Sequence, residues 1–264
     1  MAELWKGAPV AAAITAELTA RAEALKTKKV IPALAIVRVG EKGDDLAYEN
    51  AAAKRCEKIG IAVKRIYLPE NCTEQELLAV MDKINADSGV HGCLLLRPLS
   101  DKKLENAALE LLMPEKNMDE PPCTAQACLE LLDYYGAELR DKKVCVVGRS
   151  AVVGKPVREL LERRGAAVTV CHSKTENLPG TCRQAEIVVS AVGKAKLITA
   201  DCVSAGQIIV DVGINEMPDG TLCGDVDFAA VEPLVSAITP VPGGVGAVTT
   251  AVLCKHVIEA AERM

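Results

Sequence analysis

Aromatic side chains are scarce in this chain of 264 residues, which holds one Trp, one Phe and four Tyr. Its core must therefore be aliphatic, built from Ala, Val, Leu and Ile, and its surface offers few rings on which nucleic-acid bases could stack. A formal net charge of −5 would also repel a phosphate backbone. Together these exclude nucleic acid as a partner. Long apolar runs are missing as well, so no segment reads as a membrane span, and no basic-then-apolar leader opens the chain. Eleven cysteines are present, yet no Cys-x-x-Cys pair occurs among them. Cys93, Cys145 and Cys171 sit inside apolar stretches and read as small buried hydrophobes in a reduced cytoplasmic compartment. The three histidines, His91, His172 and His256, lie far apart without partner spacing, so no metal site is expected.

What remains is an ordinary globular composition, half hydrophobic and a quarter charged, with room for one large domain or two modest ones. Residues 8–26 repeat Ala, Ile and Leu at helical spacing. A buried strand is expected over 32–39, a helix over 44–59 closed by Gly60, a strand over 63–68 and a helix opened by Thr73. Gly92-Cys-Leu-Leu-Leu96 is a further apolar strand. Three prolines between Pro114 and Pro122 mark a hinge. Beyond it come a helix over 123–135, a strand over 143–147 and a helix over 154–164. A strand over 166–171, a helix near 181–186 and strands over 186–192 and 207–212 follow, with a terminal helix from Thr249. Strands alternating with helices predict parallel β/α/β units.

The most telling segment is Lys143-Val-Cys-Val-Val-Gly148-Arg149-Ser150-Ala-Val-Val153-Gly154-Lys155-Pro156. Four apolar residues run into a glycine turn, and a helical pattern starts directly after it. Glycines let such a turn pass close to a ligand, and the helix N-terminus points free N–H groups at it. This is how α/β proteins grip a nucleotide pyrophosphate. The spacing differs from G-x-G-x-x-G, so the turn alone does not name the nucleotide.

Three segments together resemble one family: Gly148-Arg-Ser-x-x-Val-Gly-x-Pro156, Asp211-Val-Gly-Ile-Asn215 with Gly224-Asp-Val-Asp227, and Thr239-Pro-Val-Pro-Gly-Gly-Val-Gly246. The chain is similar to the methylenetetrahydrofolate dehydrogenase/methenyltetrahydrofolate cyclohydrolase family over nearly its whole length. That resemblance implies an α/β protein of two domains joined by long helices. An N-terminal parallel β/α domain over 1–121 would hold folate, with the C-terminal helix 249–264 packing back on it. A Rossmann-like NAD(P)-binding domain would occupy 122–248. A homodimer is implied too. The residues expected to hold the dinucleotide are Gly148, Arg149, Ser150, Val153, Gly154, Pro156, His172, Ser173, Thr175, Ala191, Val192, Gly193, Asp211, Gly213 and Ile214. Tyr48, Asp119, Pro242, Gly243 and Gly244 would hold the tetrahydrofolate derivative, Tyr48 as a catalytic residue. The strand over 166–171 is followed by His172 and Ser173 rather than by Asp or Glu, and Arg149 can pair with a ribose 2′-phosphate. Both favour NADP, with NAD possible; a plain surface cation is the competing reading of Arg149.

The first domain departs from the family pattern. A Tyr followed four residues later by a Lys becomes Tyr48 and Ala52, and Lys54 falls roughly 200° away on the helix. The family's Gln position is Leu96. Lys-Asp-Val-Asp-Gly becomes Lys116-Asn117-Met118-Asp119-Glu120, after which Pro122-Cys123-Thr124 arrives at once and the family's intervening loop is missing. Gly-Pro-Met-Thr becomes Gly246-Ala247-Val248-Thr249. Tyr48 either stacks on folate or is a half-buried core tyrosine. Asp119 either accepts from the amino-pyrimidine edge of a pterin or caps the loop. The expectation is an NADP-dependent dehydrogenase with weak or lost cyclohydrolase activity. Its rivals are a non-catalytic NADP- or folate-binding paralogue and an oxidoreductase acting on a different substrate.

Overall fold

The computed structural model describes residues 1–263. The chain divides into two compact units, Met1–Ala12 with Pro121–Thr249, and Ala13–Glu120 with Thr250–Met264. β1 (Glu3–Leu4) precedes α1 (Gly7–Thr27), a long helix along which the chain passes from one unit into the other.

Next come β2 (Ala33–Val39), α2 (Gly43–Ile59), β3 (Ala62–Leu68), α3 (Glu74–Ala86), β4 (Gly92–Leu95) and α4 (Lys102–Leu111). The strands form a three-stranded parallel sheet in the order β3-β2-β4, with Leu34 opposite both Val63 and Gly92. β2 is buried along nearly its whole length, which is why it reads as a continuous apolar run. Ala35, Val37, Cys93 and Leu95 pack with Leu77, Met81 and Ala108 into one core. Local signals explain the helix ends. Gly60 closes α2 at φ 96°, a left-handed value that suits glycine. Thr73 and Glu76 form a capping box at the start of α3. Asp101 caps α4, accepting from the N–H of Lys103 and Leu104; sequence periodicity did not predict this helix.

The second stretch contains α5 (Cys123–Tyr134), β5 (Lys143–Val147), α6 (Gly154–Arg163), β6 (Ala167–Cys171), α7 (Leu178–Arg183), β7 (Ile187–Ser190) and β8 (Ile208–Asp211). β9 (Asn215–Glu216), β10 (Leu222–Cys223), α8 (Phe228–Val231), β11 (Ala237–Ile238) and α9 (Thr249–Arg263) complete it. Every pairing in the six-stranded sheet is parallel, in the order β1-β11-β8-β7-β5-β6, while β9 and β10 form a small antiparallel hairpin. Cys145, Val147, Val188, Ile209 and Ile238 lie in its aliphatic core. α7 starts earlier than its sequence suggests, because Asn177 caps it through the Gly180 N–H and a proline occupies its first turn. β7 stops at Ser190 because the next residues are drawn into a loop held by a carboxylate. α9 carries the chain into the other unit, where Cys254 Sγ lies 3.6 Å from Cys56 Sγ and Arg21 pairs with Glu262.

Candidate active site

In the six-stranded sheet, β5 has β6 on one side and β7 on the other. The connections leaving β5 and β6 therefore run in opposite directions, and a crevice opens at the carboxyl ends of β5 and β7. Gly148 and Ala191 stand at those ends. Gly148 has φ 126°, and a Cβ there would collide with the Ala191 carbonyl oxygen. One turn of chain later, a Cβ on Gly154 would come within 2.5 Å of the Gly148 carbonyl oxygen. The two glycines thus fold the turn against its neighbours. Ser150 Oγ accepts from the N–H groups of Val153 and Gly154, both at 3.2 Å, and so opens α6.

A cavity of about 530 Å³ fills the crevice. Its walls are Val147, Gly148, Arg149, Ser150, His172, Ser173, Thr175, Leu178, Ala191, Val192, Lys194 and Leu197. Eight of the expected dinucleotide residues line it: Gly148, Arg149, Ser150, His172, Ser173, Thr175, Ala191 and Val192. Thr175 shapes the turn after β6, since its hydroxyl accepts from the His172 N–H at 2.9 Å. His172 Nδ1 accepts from the Lys174 N–H at 3.1 Å, leaving Nε2 to carry a ring proton. Val147, Leu178, Lys194 and Leu197 were not among the expected residues; Val147 ends the strand that runs into the glycine turn, and Lys194 directly follows Ala191-Val-Gly193, so both could have been found there. No carboxylate lines the cavity among the described residues, while Arg149 and Lys194 do. A phosphorylated ribose fits such a wall better than a bare diol that needs an acidic partner.

The remaining expected dinucleotide residues stand behind or beside this wall. Val153, Gly154 and Pro156 belong to the turn and the first turn of α6. Gly193 sits on a loop gripped by Asp225, whose carboxylate accepts from the N–H groups of Val192, Gly193 and Lys194 at 2.7, 3.2 and 2.9 Å. Asp211 is buried and accepts from the N–H groups of Gly213, Asp225 and Val226. Burial outweighs those bonds and pushes its carboxyl up to about 6. A Cβ on Gly213 would strike the Asp225 carboxylate, so this glycine makes room for the carboxylate pair. Ile214 is exposed. Asp211 and Gly213 therefore support the cavity wall from outside it. Asp225, which sequence reasoning quoted only as part of a motif, is the residue that shapes the wall.

The proline–glycine segment lies in the same unit. Thr239 Oγ1 accepts from the Asp211 N–H at 2.8 Å. A Cβ on Gly244 would come within 2.6 Å of the Pro240 carbonyl oxygen. Pro242 and Gly243 are exposed and Gly244 is buried, and the Gly7 N–H anchors the segment by donating to the Gly243 carbonyl at 2.8 Å.

The other unit holds two of the expected folate residues, Tyr48 and Asp119. Tyr48 is half-buried on α2, and Ala52 is fully buried one turn further on. Lys54 is exposed, as its helical angle predicted. Leu96, at the Gln position, is buried just beyond β4. Asp119 is half-buried and ion-paired with Arg97. Asn117 performs the loop-capping duty, its Oδ1 accepting from the Asp119 N–H at 3.1 Å. Beside Tyr48, the buried Glu49 pairs with Arg38 at 2.7 Å, and Arg38 lies 4.8 Å from the Tyr67 ring centroid.

Residues 5–119 match the catalytic domain of tetrahydrofolate dehydrogenase/cyclohydrolase, and residues 122–264 match the NAD(P)-binding domain of the same proteins. The chain belongs to the tetrahydrofolate dehydrogenase/cyclohydrolase family. It is 47% identical to the bifunctional protein FolD of Carboxydothermus hydrogenoformans, with 99% of this chain and 98% of the relative covered. That alignment runs over 281 positions, more than the 264 residues available here, so the relative carries residues with no counterpart in this chain. The bifunctional FolD of Clostridioides difficile is 43% identical over 98% of this chain and 96% of its own. Among solved structures, the bifunctional FolD of Campylobacter jejuni matches with a TM-score of 0.95 at 36% identity, covering 100% and 99% of the two chains. A FolD from Trypanosoma brucei, complexed with NADP cofactor and inhibitor, matches with a TM-score of 0.93 at 32% identity, covering 99% and 98%.

Proposed function

We propose that this family member is an NADP-dependent 5,10-methylenetetrahydrofolate dehydrogenase whose cyclohydrolase step is weakened relative to its dehydrogenase step. The observation that carries the reading is the contrast between two neighbourhoods. The nucleotide cavity keeps its glycine turn, Arg149, His172 and Lys194, with no lining carboxylate. On α2, by contrast, a buried methyl at Ala52 stands where the family pattern has a lysine, and Leu96 stands where it has a glutamine.

NADP held at that cavity would supply the acceptor for a hydride from the methylene carbon of the folate. The two nitrogens flanking that carbon stabilise the cation left behind, so this step asks the protein for positioning more than for proton transfer. Arg149 and Ser173 would fix the phosphorylated ribose. Gly148 and the start of α6 would approach the pyrophosphate, and the loop held by Asp225 would form the opposite wall. Tyr48 and Asp119 would place the folate. Hydrolysis makes a different demand, because water must lose a proton as it adds to the cation. The match to both tetrahydrofolate dehydrogenase/cyclohydrolase domains and the likeness to a FolD complexed with NADP cofactor support folate as substrate and NADP chemistry here. The expectation of a weaker second step rests on Ala52 and Leu96 alone.

The test is a paired assay on the purified protein. Methylenetetrahydrofolate with NADP should give reduced nucleotide, and methenyltetrahydrofolate alone should be hydrolysed more slowly than it is produced. Hydrolysis as fast as hydride transfer would remove the proposed imbalance. Silence in both arms would favour a binding paralogue or another substrate.

A further inference from the structure

Resting on that reading of Asp119, we propose that Arg97 is a positioning residue for the folate. Its guanidinium holds the Asp119 carboxylate in one orientation and supplies the counter-charge when a pterin covers that carboxylate. Both backbones are tied down within the same unit. The Leu96 N–H donates to the Val37 carbonyl of β2 at 2.9 Å, and beyond Arg97 the Leu99 N–H donates to Glu105 Oε2 at 2.7 Å. Leu96 and Leu99 are both buried, so Arg97 stands on a short segment fixed at each end.

The Asp119 side is held as firmly. Asn117 bridges to Cys93 of β4, and the buried Met118 donates its N–H to the Cys93 carbonyl at 3.0 Å. The Met118 carbonyl oxygen lies 2.9 Å from His256 Nδ1 of α9, and the Asp119 N–H is bound by Asn117 Oδ1 at 3.1 Å. Between these two fixed segments, Arg97 Nη2 donates to Asp119 Oδ2. Among the described residues, Asp119 is the one polar partner of the Arg97 side chain. Removing the guanidinium therefore breaks that contact and no other.

Both side chains are 24% exposed, enclosed enough to hold one another and open enough for a ligand to reach them. A carboxylate presents about four acceptor positions, so a bond to Arg97 and bonds to an amino-pyrimidine edge can coexist. That edge brings N–H donors but no positive charge. A ring lying on Asp119 strips water from the carboxylate, and a carboxylate buried without a cation is costly. Arg97 already stands in contact, so folate binding need not recruit a counter-ion or order the acceptor.

The experiment titrates tetrahydrofolate into the protein by calorimetry and reads KM and kcat for methylenetetrahydrofolate with NADP beside it. Arg97→Met keeps much of the stem and removes the charge. It should raise the tetrahydrofolate Kd and the methylenetetrahydrofolate KM by roughly 10-fold, with kcat and the NADP Kd within about 3-fold. Arg97→Lys, which keeps a cation without the planar fork, should recover part of the loss. Asp119→Asn should itself weaken folate binding. Adding Arg97→Met to it should cost less than about 2-fold more, because the two residues act as one unit. An unchanged or tighter folate Kd in Arg97→Met, an equal fall in NADP affinity, or the full loss repeated in the Asp119→Asn background would each overturn the role of Arg97 while leaving Asp119 as a folate contact. Undiminished folate binding by Asp119→Asn, or no tetrahydrofolate binding by the wild type, would instead overturn the reading of Asp119 on which the proposal rests.

Discussion

Arg149 shows what a single residue contributes to a nucleotide wall. It is exposed on the turn after β5 and lines the cavity with His172, Ser173 and Lys194. A charge-assisted bond to a 2′-phosphate is worth about 1.5–3 kcal/mol, so Arg149→Ala should weaken NADP roughly 10- to 100-fold. NAD, which lacks that phosphate, should change by less than about 3-fold. Calorimetric titration with each nucleotide checks this, and equal weakening of both would return Arg149 to the status of a surface cation. This residue was legible in the sequence because it sits inside the glycine turn itself. Asp225 was not, because its role depends on a loop more than thirty residues away in the chain. Asp119 was half legible: its position was noted, but its ion pair with Arg97 came only from folding.

Elements carry their own accounting. Helix α3 opens with a capping box, but its other end is finished by a residue far along the chain. Lys116 is 2% exposed, and its Nζ donates to the carbonyls of Ile84, Asn85 and Asp87 at 2.7, 3.0 and 2.8 Å. Burial lowers the amine's pKa, with the Asp87 charge opposing, while its charge suits the negative end of the helix. Lys116→Met keeps the stem and removes the donors. A cost of about 2–3 kcal/mol is expected for buried acceptors losing a charged partner. At about 2–4 °C per kcal/mol for a protein of this size, the Tm should fall by roughly 5–10 °C in calorimetry. An unchanged Tm would mean that water serves those carbonyls equally well. The N-terminal cap was readable because Thr73 and Glu76 are three residues apart; the C-terminal one joins groups about thirty residues apart, beyond any local pattern.

At the scale of the whole molecule, thiol chemistry offers a test of the aliphatic core. All eleven cysteines are free, and every one except the partly exposed Cys223 is buried. Burial pushes the Cys93 and Cys128 thiols up to about 12. Cys145 is also pushed up, by its neighbours Cys182 and Cys171 and by burial. A thiol reagent should therefore titrate about one cysteine in the native protein and all of them in denaturant. Rapid native reaction of several would show that the core opens far more readily than its packing suggests. No helix among the described residues is long and apolar enough to cross a membrane, in keeping with an apolar complement spent on these two cores.

The sequence by itself determined the alternation of strands and helices, the buried character of β2 and β5, the glycine turn and the proline–glycine segment. Each is a local pattern of periodicity or backbone freedom, written within a few adjacent residues. It also exposed the substitutions at Ala52 and Leu96, since a missing functional group is visible wherever its position is. Tertiary structure alone decided that Asp211 and Asp225 brace the nucleotide wall and that Lys116 finishes α3. It alone brought Cys254 of the last helix against Cys56 of α2. Those outcomes depend on hydrogen bonds and packing between segments remote in the chain, where side-chain direction is fixed only once the helices and sheets have met.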